Sequence, residues 1–175
     1  MFKIVGILLV VVVGGLLAFA ATKPSVFQVQ RTASIKTPPE KIFPLIEDFH
    51  RWSSWSPYEK LDPEMKRTYS GAPSGKGAIY EWNGSNKVGQ GRMEITDASP
   101  PNRVTIKLDF LRPLEGHNTA EFTLDARGDS TVVTWAMYGP NRYMAKVMSL
   151  FVSLDRMVGR DFETGLANLK AAAER

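Results

Sequence analysis

The chain has 175 residues, of which 43% are hydrophobic and 23% are charged, and these values fit one globular domain with an appendage. Its net charge of +4 comes from basic residues scattered along the sequence, so the charge pattern does not favour a nucleic-acid-binding protein. Because cysteine is absent, a disulfide framework, a thiol nucleophile and a thiolate metal site are excluded.

An apolar run at residues 4–21 comes first and contains no charged or polar side chain. As an α-helix it would be about 27 Å long, close to the roughly 30 Å hydrocarbon core of a bilayer. Two interpretations remain open: a removable signal sequence cleaved after Ala18-Phe19-Ala20, and an uncleaved single-span anchor. We favour the anchor, because the run is near the upper length limit of a signal sequence.

The charges that flank this run predict its orientation. Lys3 and the amino terminus precede it, and Lys23 follows it. Positive charge marks the cytoplasmic side of a span, and the amino-terminal side carries the small excess. The sequence therefore predicts a single-pass membrane protein with an anchor at residues 1–23. The soluble domain, residues 24–175, is expected on the extracytoplasmic side.

The soluble domain opens with a predicted strand at residues 26–35 and a helix-start signal. Thr37 fits the helix N-cap, Pro38 the first helical position and Glu40 the partner of a capping box. Pro44 is expected to kink or shorten this helix. Its apolar face consists of Ile42, Phe43, Ile46 and Phe49. A second short helical segment is expected to carry two tryptophans, Trp52 and Trp55.

Six further segments predict strands, because apolar and polar side chains alternate in them. They are residues 65–70, 77–82, 90–98, 103–111, 117–126 and 130–138. Short turns rich in Gly, Pro and Asn separate these segments, so we expect sequential antiparallel neighbours. The clearest alternations assign ten residues to a concave sheet face: Val104, Ile106, Leu108, Phe110, Ala120, Phe122, Leu124, Val133, Trp135 and Met137.

The last segment, residues 141–175, predicts one long helix, because apolar residues recur in it every three or four positions. They are Val147, Phe151, Leu154, Val158, Phe162, Leu166 and Leu169. Asn141 fits the N-cap, and a helix of roughly thirty residues would be about 45 Å long. Gly159 and Gly165 lie inside this helix. They indicate either close backbone contact with the sheet or a loop, or space for a ligand.

The order of elements predicts an α+β fold, in which an antiparallel sheet of about seven strands wraps around the long C-terminal helix. Two short helices follow the first strand, and a transmembrane helix precedes it. The residues that carry a family resemblance are Arg31, Ile35, Asp48 and Gly139, with residues 37–43, 52–57, 75–78, 131–135 and 161–170.

From residue 26 to the C-terminus, these motifs resemble the SRPBCC superfamily of START-like domains. They look most like its bacterial polyketide cyclase/dehydrase and lipid transport branch, many members of which carry one N-terminal span. The resemblance implies a helix-grip fold with a hydrophobic cavity between the sheet and the C-terminal helix. It implies no single activity, because the superfamily holds transporters, sensors and enzymes. The interruption of the first helix by Pro44 departs from the family pattern.

The sequence contains no complete motif for a nucleotide cofactor, a metal or catalysis. The glycine-rich residues 71–77 lack the Ser or Thr that follows the lysine of a phosphate loop, and residues 89–91 lack the third glycine of a dinucleotide loop. His50 and His117 do not have the spacing of a zinc site. We therefore predict no cofactor, no metal and no catalytic residue. His117 is expected to be a solvated residue at a strand end, with a cavity acid or base as the alternative.

Aromatic and methionine side chains can line an adaptable apolar pocket. The residues expected to contact a ligand are Tyr80, Trp82, Met93, Phe110, Phe122, Trp135, Met137, Phe151, Leu154 and Phe162. The alternative for each of them is plain core packing. Ligand access is expected near residues 113–117 or residues 52–57.

The sequence thus predicts a membrane-tethered binding domain for a hydrophobic small molecule, which is a lipid, a polyketide-like compound or an isoprenoid. One alternative is a cyclase/dehydrase-like enzyme that uses Tyr80, Glu81 or His117. Another is an interaction or stress-response module whose interior is only a core. The sequence names no protein partner and no oligomeric state.

Overall fold

The computed structural model describes residues 2–175, and its first element is the helix α1 (Phe2–Ala21). Only 7% of its segment Ile4–Ala21 is buried. By length and composition α1 is able to cross a membrane, and a signal sequence would have the same length and apolar composition.

Seven strands form one antiparallel sheet in the order β1-β7-β6-β5-β4-β3-β2. Their bounds are β1 (Val26–Ile35), β2 (Lys66–Gly71), β3 (Ala78–Asn83), β4 (Gln90–Ser99), β5 (Arg103–Arg112), β6 (Gly116–Arg127) and β7 (Ser130–Pro140). All seven strands were predicted to within two residues at each end. The pairing of the first strand with the last, from Val26 opposite Pro140 to Ile35 opposite Thr131, was not predicted.

Three short helices connect β1 to β2: α2 (Pro39–Glu47), a 3₁₀ helix (Phe49–Ser54) and α3 (Tyr58–Leu61). The first two were predicted, and α3 was missed. Pro44 lies inside α2, which ends three residues later.

The predicted capping box at Thr37 is wrong, because Pro38 occupies the N-cap position and no side chain caps this helix. The hydroxyl of Thr37 instead donates to the carbonyl of Ala173 over 3.2 Å. The carbonyl of Thr37 accepts a 2.7 Å hydrogen bond from the Thr131 hydroxyl. Thr37 is therefore used to hold the end of the C-terminal helix against β7, where helix carbonyls lack intrahelical partners.

The C-terminal segment forms two helices, α4 (Tyr143–Met148) and α5 (Leu154–Ala173), so the prediction of one continuous helix is wrong. Ser153 caps α5 by accepting a 3.2 Å hydrogen bond from the backbone N–H of Arg156. The predicted cap, Asn141, instead donates its side-chain amide to the carbonyl of Pro24. The 20 residues of α5 span about 30 Å, which matches a ten-residue strand of about 33 Å. A longer helix would overhang the sheet.

The core lies between α5 and the concave sheet face. Nine of the ten residues assigned to that face are buried, and Phe110 is partly buried. A Cβ on Gly165 would lie 2.7 Å from the Trp135 ring and 3.1 Å from Pro57, and a Cβ on Gly159 would meet the Arg31 guanidinium. Both helix glycines therefore mark close contacts and not space for a ligand. The α+β helix-grip fold predicted from the sequence is confirmed.

Candidate functional site

A cavity of about 560 Å³ lies between the sheet and α5. Seven of the ten residues predicted to contact a ligand line it: Tyr80, Trp82, Met93, Phe110, Trp135, Met137 and Phe162. Strand periodicity explains the grouping of the six strand residues, because alternate residues of each strand point to the same face of the sheet. Phe162 faces them from α5.

Aromatic contacts fix the walls of this cavity. The ring centroids of Trp135 and Phe162 are 4.0 Å apart with planes 8° from parallel, which joins β7 to α5. Trp82 contacts Phe110 edge to face, with centroids 5.8 Å apart. Gly91 permits this arrangement, since a Cβ there would meet the Trp82 ring. These ring contacts make this part of the cavity wall aromatic and closely packed.

Three predicted contact residues lie outside the lining. Phe122 is fully buried, and its ring packs against Trp55 and Trp135 beneath the cavity. Leu154 is partly buried against the core at the first position of α5. Phe151 is 76% exposed in the connection between α4 and α5. Its expected position facing the sheet is wrong, because the helix is interrupted before this residue.

The sequence reasoning missed much of one cavity wall. The lining residues absent from the predicted contacts are Trp52, Ser56, Tyr58, Glu59, Leu61, Met65, Asn86, Lys87, Val88, Leu108, Arg112, Pro113, Leu114, Ala120, Met157, Val158 and Asp161. Trp52, Ser56, Pro113 and Leu114 lie in the two segments where ligand access was expected, and Val158 was assigned to the apolar face of the C-terminal helix. Leu108 and Ala120 were assigned to the concave face, so alternation identified their position but not their role. The remaining residues come from the 3₁₀ helix, from α3, from loops and from the first turns of α5, where period-two alternation gives no signal, and from Arg112 at the end of β5.

One polar group in the cavity wall is centred on Glu59, which is only 9% exposed. The Tyr80 hydroxyl donates to Glu59 Oε1 over 2.6 Å, and Arg67 Nε donates to Glu59 Oε2 over 2.7 Å. Burial, followed by the hydrogen bond to Glu59, raises the pKa of Tyr80 well above its usual range. Tyr80 therefore stays a neutral donor, and the buried carboxylate is paired with a guanidinium.

A second polar group consists of Asp161 from α5 and Tyr58 from α3, both of which line the cavity. Burial raises the pKa of Asp161, and its hydrogen bond with Tyr58 opposes that rise. Burial and the Asp161 charge raise the pKa of Tyr58. Within residues 2–175 no salt bridge involves Asp161, so this carboxylate retains capacity to accept a hydrogen bond from a bound molecule.

The other candidate acid–base residues lie outside the cavity lining. Glu81 is exposed on β3. The His117 side chain is 50% exposed and contacts Asp109 Oδ1 at 2.8 Å and Glu115 Oε1 at 3.2 Å. The expectation that His117 is a solvated residue at a strand end is confirmed. In the part of the chain that the structure describes, no group of three His, Asp or Glu side chains is placed to hold a metal ion.

The cavity opens at one end of the sheet. Its mouth is formed by exposed apolar residues of α3, of the β5–β6 loop and of α5: Leu61 is 46%, Leu114 is 69% and Met157 is 56% exposed. Lys87 of the β3–β4 loop also belongs to the exposed lining. The β5–β6 loop is one of the two segments where ligand access was expected.

Comparison with known proteins agrees with this geometry. The family model described as polyketide cyclase / dehydrase and lipid transport matches residues 26–174. No curated protein matches the chain.

Solved structures share the fold at low sequence identity. A protein of Chromobacterium violaceum is 14% identical with a TM-score of 0.59, over 87% of this chain and 99% of the other. The Aha1 dimer of Colwellia psychrerythraea is 18% identical with a TM-score of 0.57, over 85% and 96% of the two chains. Major latex-like protein 151 of Panax ginseng is 14% identical with a TM-score of 0.59, over 87% and 100%.

Proposed function

The chain belongs to the polyketide cyclase/dehydrase and lipid transport family, and on this premise we propose that it binds a hydrophobic small molecule between the sheet and α5. The observation that carries the proposal is the cavity of about 560 Å³ with aromatic and methionine walls. Binding sites for small molecules fall in the range of roughly 300–1,000 Å³. A lipid, a polyketide-like compound or an isoprenoid would fit this site.

Binding would be driven by removing apolar ligand surface from water, at about 25 cal/mol per Å². A ligand that buries about 300 Å² would gain roughly 7.5 kcal/mol before the cost of association is subtracted. Asp161 adds specificity, because it can accept a hydrogen bond from a hydroxyl or amine of the ligand. The proposed ligand therefore has an apolar body and at least one hydrogen-bond donor.

The proposed function includes a membrane tether at residues 1–23 and a binding domain at residues 24–175. The support is the apolar helix α1, whose window Ile4–Ala21 is 7% buried against the rest of the chain. A surface this apolar is stable in lipid and unfavourable in water. The excess of positive charge before the helix favours an extracytoplasmic position for the domain.

Extraction of the purified full-length protein with organic solvent tests the proposal. Wild-type protein should release a defined hydrophobic molecule. Ala120→Phe places a ring in the cavity and should release none, since Ala120 lines the cavity and is 4% exposed. Ala136→Phe is the matched control, because Ala136 is equally small and is 8% exposed outside the lining, on the opposite face of β7. Equal release, or no release, from all three proteins would contradict the proposal.

A second function, acid–base catalysis on the bound molecule, is favoured by the pairing of Asp161 with Tyr58 inside the cavity. Burial raises the pKa of the Asp161 carboxyl, so this group holds its proton to a higher pH than a free carboxyl does, which suits it to give up that proton to a bound molecule. If the protein dehydrates its ligand, the molecule extracted from wild type should have lost one water relative to that extracted from Asp161→Asn. Identical extracted molecules would leave binding as the function.

The third interpretation, an interaction module with a fully packed interior, requires that no space for a ligand exists. The cavity of about 560 Å³ argues against it.

A further inference from the structure

An exposed apolar surface lies on α4 and on the connection that follows it. This α4 surface consists of Tyr143, Met144, Met148, Phe151 and Val152, which are 46%, 68%, 52%, 76% and 53% exposed. None of the residues of α4 is buried. An apolar surface of this kind in water marks a site of contact with another apolar phase.

The α4 surface is attached to the end of the apolar helix α1. The Tyr143 hydroxyl donates to the carbonyl of Leu17 over 3.0 Å. The Lys23 ammonium donates to the Ser149 hydroxyl over 3.1 Å. If α1 spans a membrane, these bonds hold the α4 surface at the depth where the span leaves the lipid, which is where Tyr and Lys side chains are enriched.

The charges around the α4 surface indicate which kind of partner it contacts. Residues 141–153 contain Arg142 and Lys146 and no acidic residue, and Lys23 lies against Ser149. Basic side chains beside apolar ones fit the headgroups of an anionic phospholipid bilayer.

The strand registers place this surface at the same end of the sheet as the cavity mouth. Val26, the first residue of β1, pairs with Pro140, the last residue of β7. The chain therefore enters the sheet from α1 and leaves it toward α4 at the same end. The β5–β6 loop lies at this end too. Phe110 of β5 pairs with Gly116 of β6 next to the loop, and β6 then runs beside the end of β7, where Thr119 pairs with Tyr138. Leu114 of this loop and Met157 of α5 both belong to the mouth.

We propose that the α4 surface docks on an anionic phospholipid bilayer beside α1 and holds the cavity mouth against the lipid. A hydrophobic ligand then passes between the bilayer and the cavity without crossing water. This inference rests on the proposed membrane span and on the proposed binding function, and it adds the site where the domain meets the membrane.

Single cysteines in the full-length chain test the docking, because the natural sequence contains no cysteine. Phe151→Cys reports on the α4 surface and Phe19→Cys on the span. Asp129→Cys is the control, since the turn after β6 lies at the opposite end of the sheet, where Arg127 pairs with Ser130. Each variant is labelled with an environment-sensitive fluorophore and reconstituted into vesicles of phosphatidylcholine and phosphatidylglycerol, with and without brominated acyl chains.

Brominated lipid should quench the probes at positions 151 and 19 and leave the probe at 129 unchanged. The quenching at 151 should be lost in vesicles without phosphatidylglycerol, whereas the quenching at 19 should persist. Quenching at 19 without quenching at 151 would overturn the docking and leave the span intact. An apolar environment at 151 that brominated lipid does not quench would also overturn it, by indicating a protein neighbour. Absence of quenching at 19 would overturn the span and the docking together.

Discussion

At the scale of single residues, Glu59 connects three elements of the cavity wall. It lies on α3, accepts from Tyr80 of β3 and is paired with Arg67 of β2. A buried carboxylate that loses one hydrogen-bond partner still carries the free-energy cost of its removal from water. Each of these hydrogen bonds therefore contributes more to stability than an exposed one.

Tyr80→Phe should lower the free energy of unfolding by about 1–3 kcal/mol, because Glu59 then lacks one of its two side-chain donors. Urea denaturation followed by tryptophan fluorescence would measure the change. Tyr69→Phe is the control, since within residues 2–175 the Tyr69 hydroxyl makes no hydrogen bond although its ring contacts that of Tyr80. Equal loss of stability in both variants would show that the hydroxyl contact with Glu59 is unimportant.

His117 should make the stability depend on pH. Hydrogen bonds to Asp109 and Glu115 raise the pKa of His117 above its ordinary value of 6.5. A raised folded-state pKa contributes stability that is complete below the unfolded-state pKa and is lost as pH rises through the folded-state value. The free energy of unfolding should therefore fall as pH rises from 6.5, and His117→Gln should remove that part of the fall. The same slope in both proteins would contradict the pairing.

At the scale of elements, the contact between α5 and the sheet depends on a missing side chain. Gly165 lies where a Cβ would be 2.7 Å from Trp135 and 3.1 Å from Pro57. Trp135 is a buried ring and Pro57 is a half-buried ring, and neither is the free end of a flexible side chain, so they have little freedom to move. At Gly159 the neighbour is the end of the Arg31 side chain, which is bound to Asp155 and Glu163 at the protein surface.

Gly165→Ala should destabilise the fold by about 1–2 kcal/mol, because overpacking exceeds the gain of about 1 kcal/mol in helix propensity. Gly159→Ala should be nearly neutral, since a guanidinium in exposed ion pairs can shift at little cost. Thermal or urea unfolding of the two variants would compare them directly. A stabilised Gly165→Ala protein would mean that the ring contacts are looser than described.

At the scale of the whole molecule, the sequence predicted the fold well wherever apolar periodicity was long. Alternation in β5, β6 and β7 identified the concave face, and the apolar recurrence identified α5. The apolar recurrence also continues through Phe151, but the sheet does not extend far enough to cover that residue. Ser153 then caps the start of a new helix, α5. Amphipathic patterns show which face is apolar without showing what covers it, and for α4 the neighbour is α1.

The candidate site was predicted in part for the same reason. Strand alternation placed Tyr80, Trp82 and Phe110 toward the cavity. The polar residues Glu59 and Asp161 were missed, because α3 is only four residues long and because Asp161 has the pattern of a solvated helix residue. Their role depends on packing between elements that are distant in sequence, which no local pattern encodes.

Native mass spectrometry of the full-length protein, released from lipid nanodiscs, tests whether the cavity under α5 holds a ligand. We expect one bound hydrophobic molecule per chain in wild type and in Ala136→Phe, and a bare chain in Ala120→Phe, whose added ring occupies the cavity. A wild-type chain that stays bare after exposure to a lipid extract, or an adduct retained equally by Ala120→Phe, would contradict the claim that the space under α5 is a ligand-binding site.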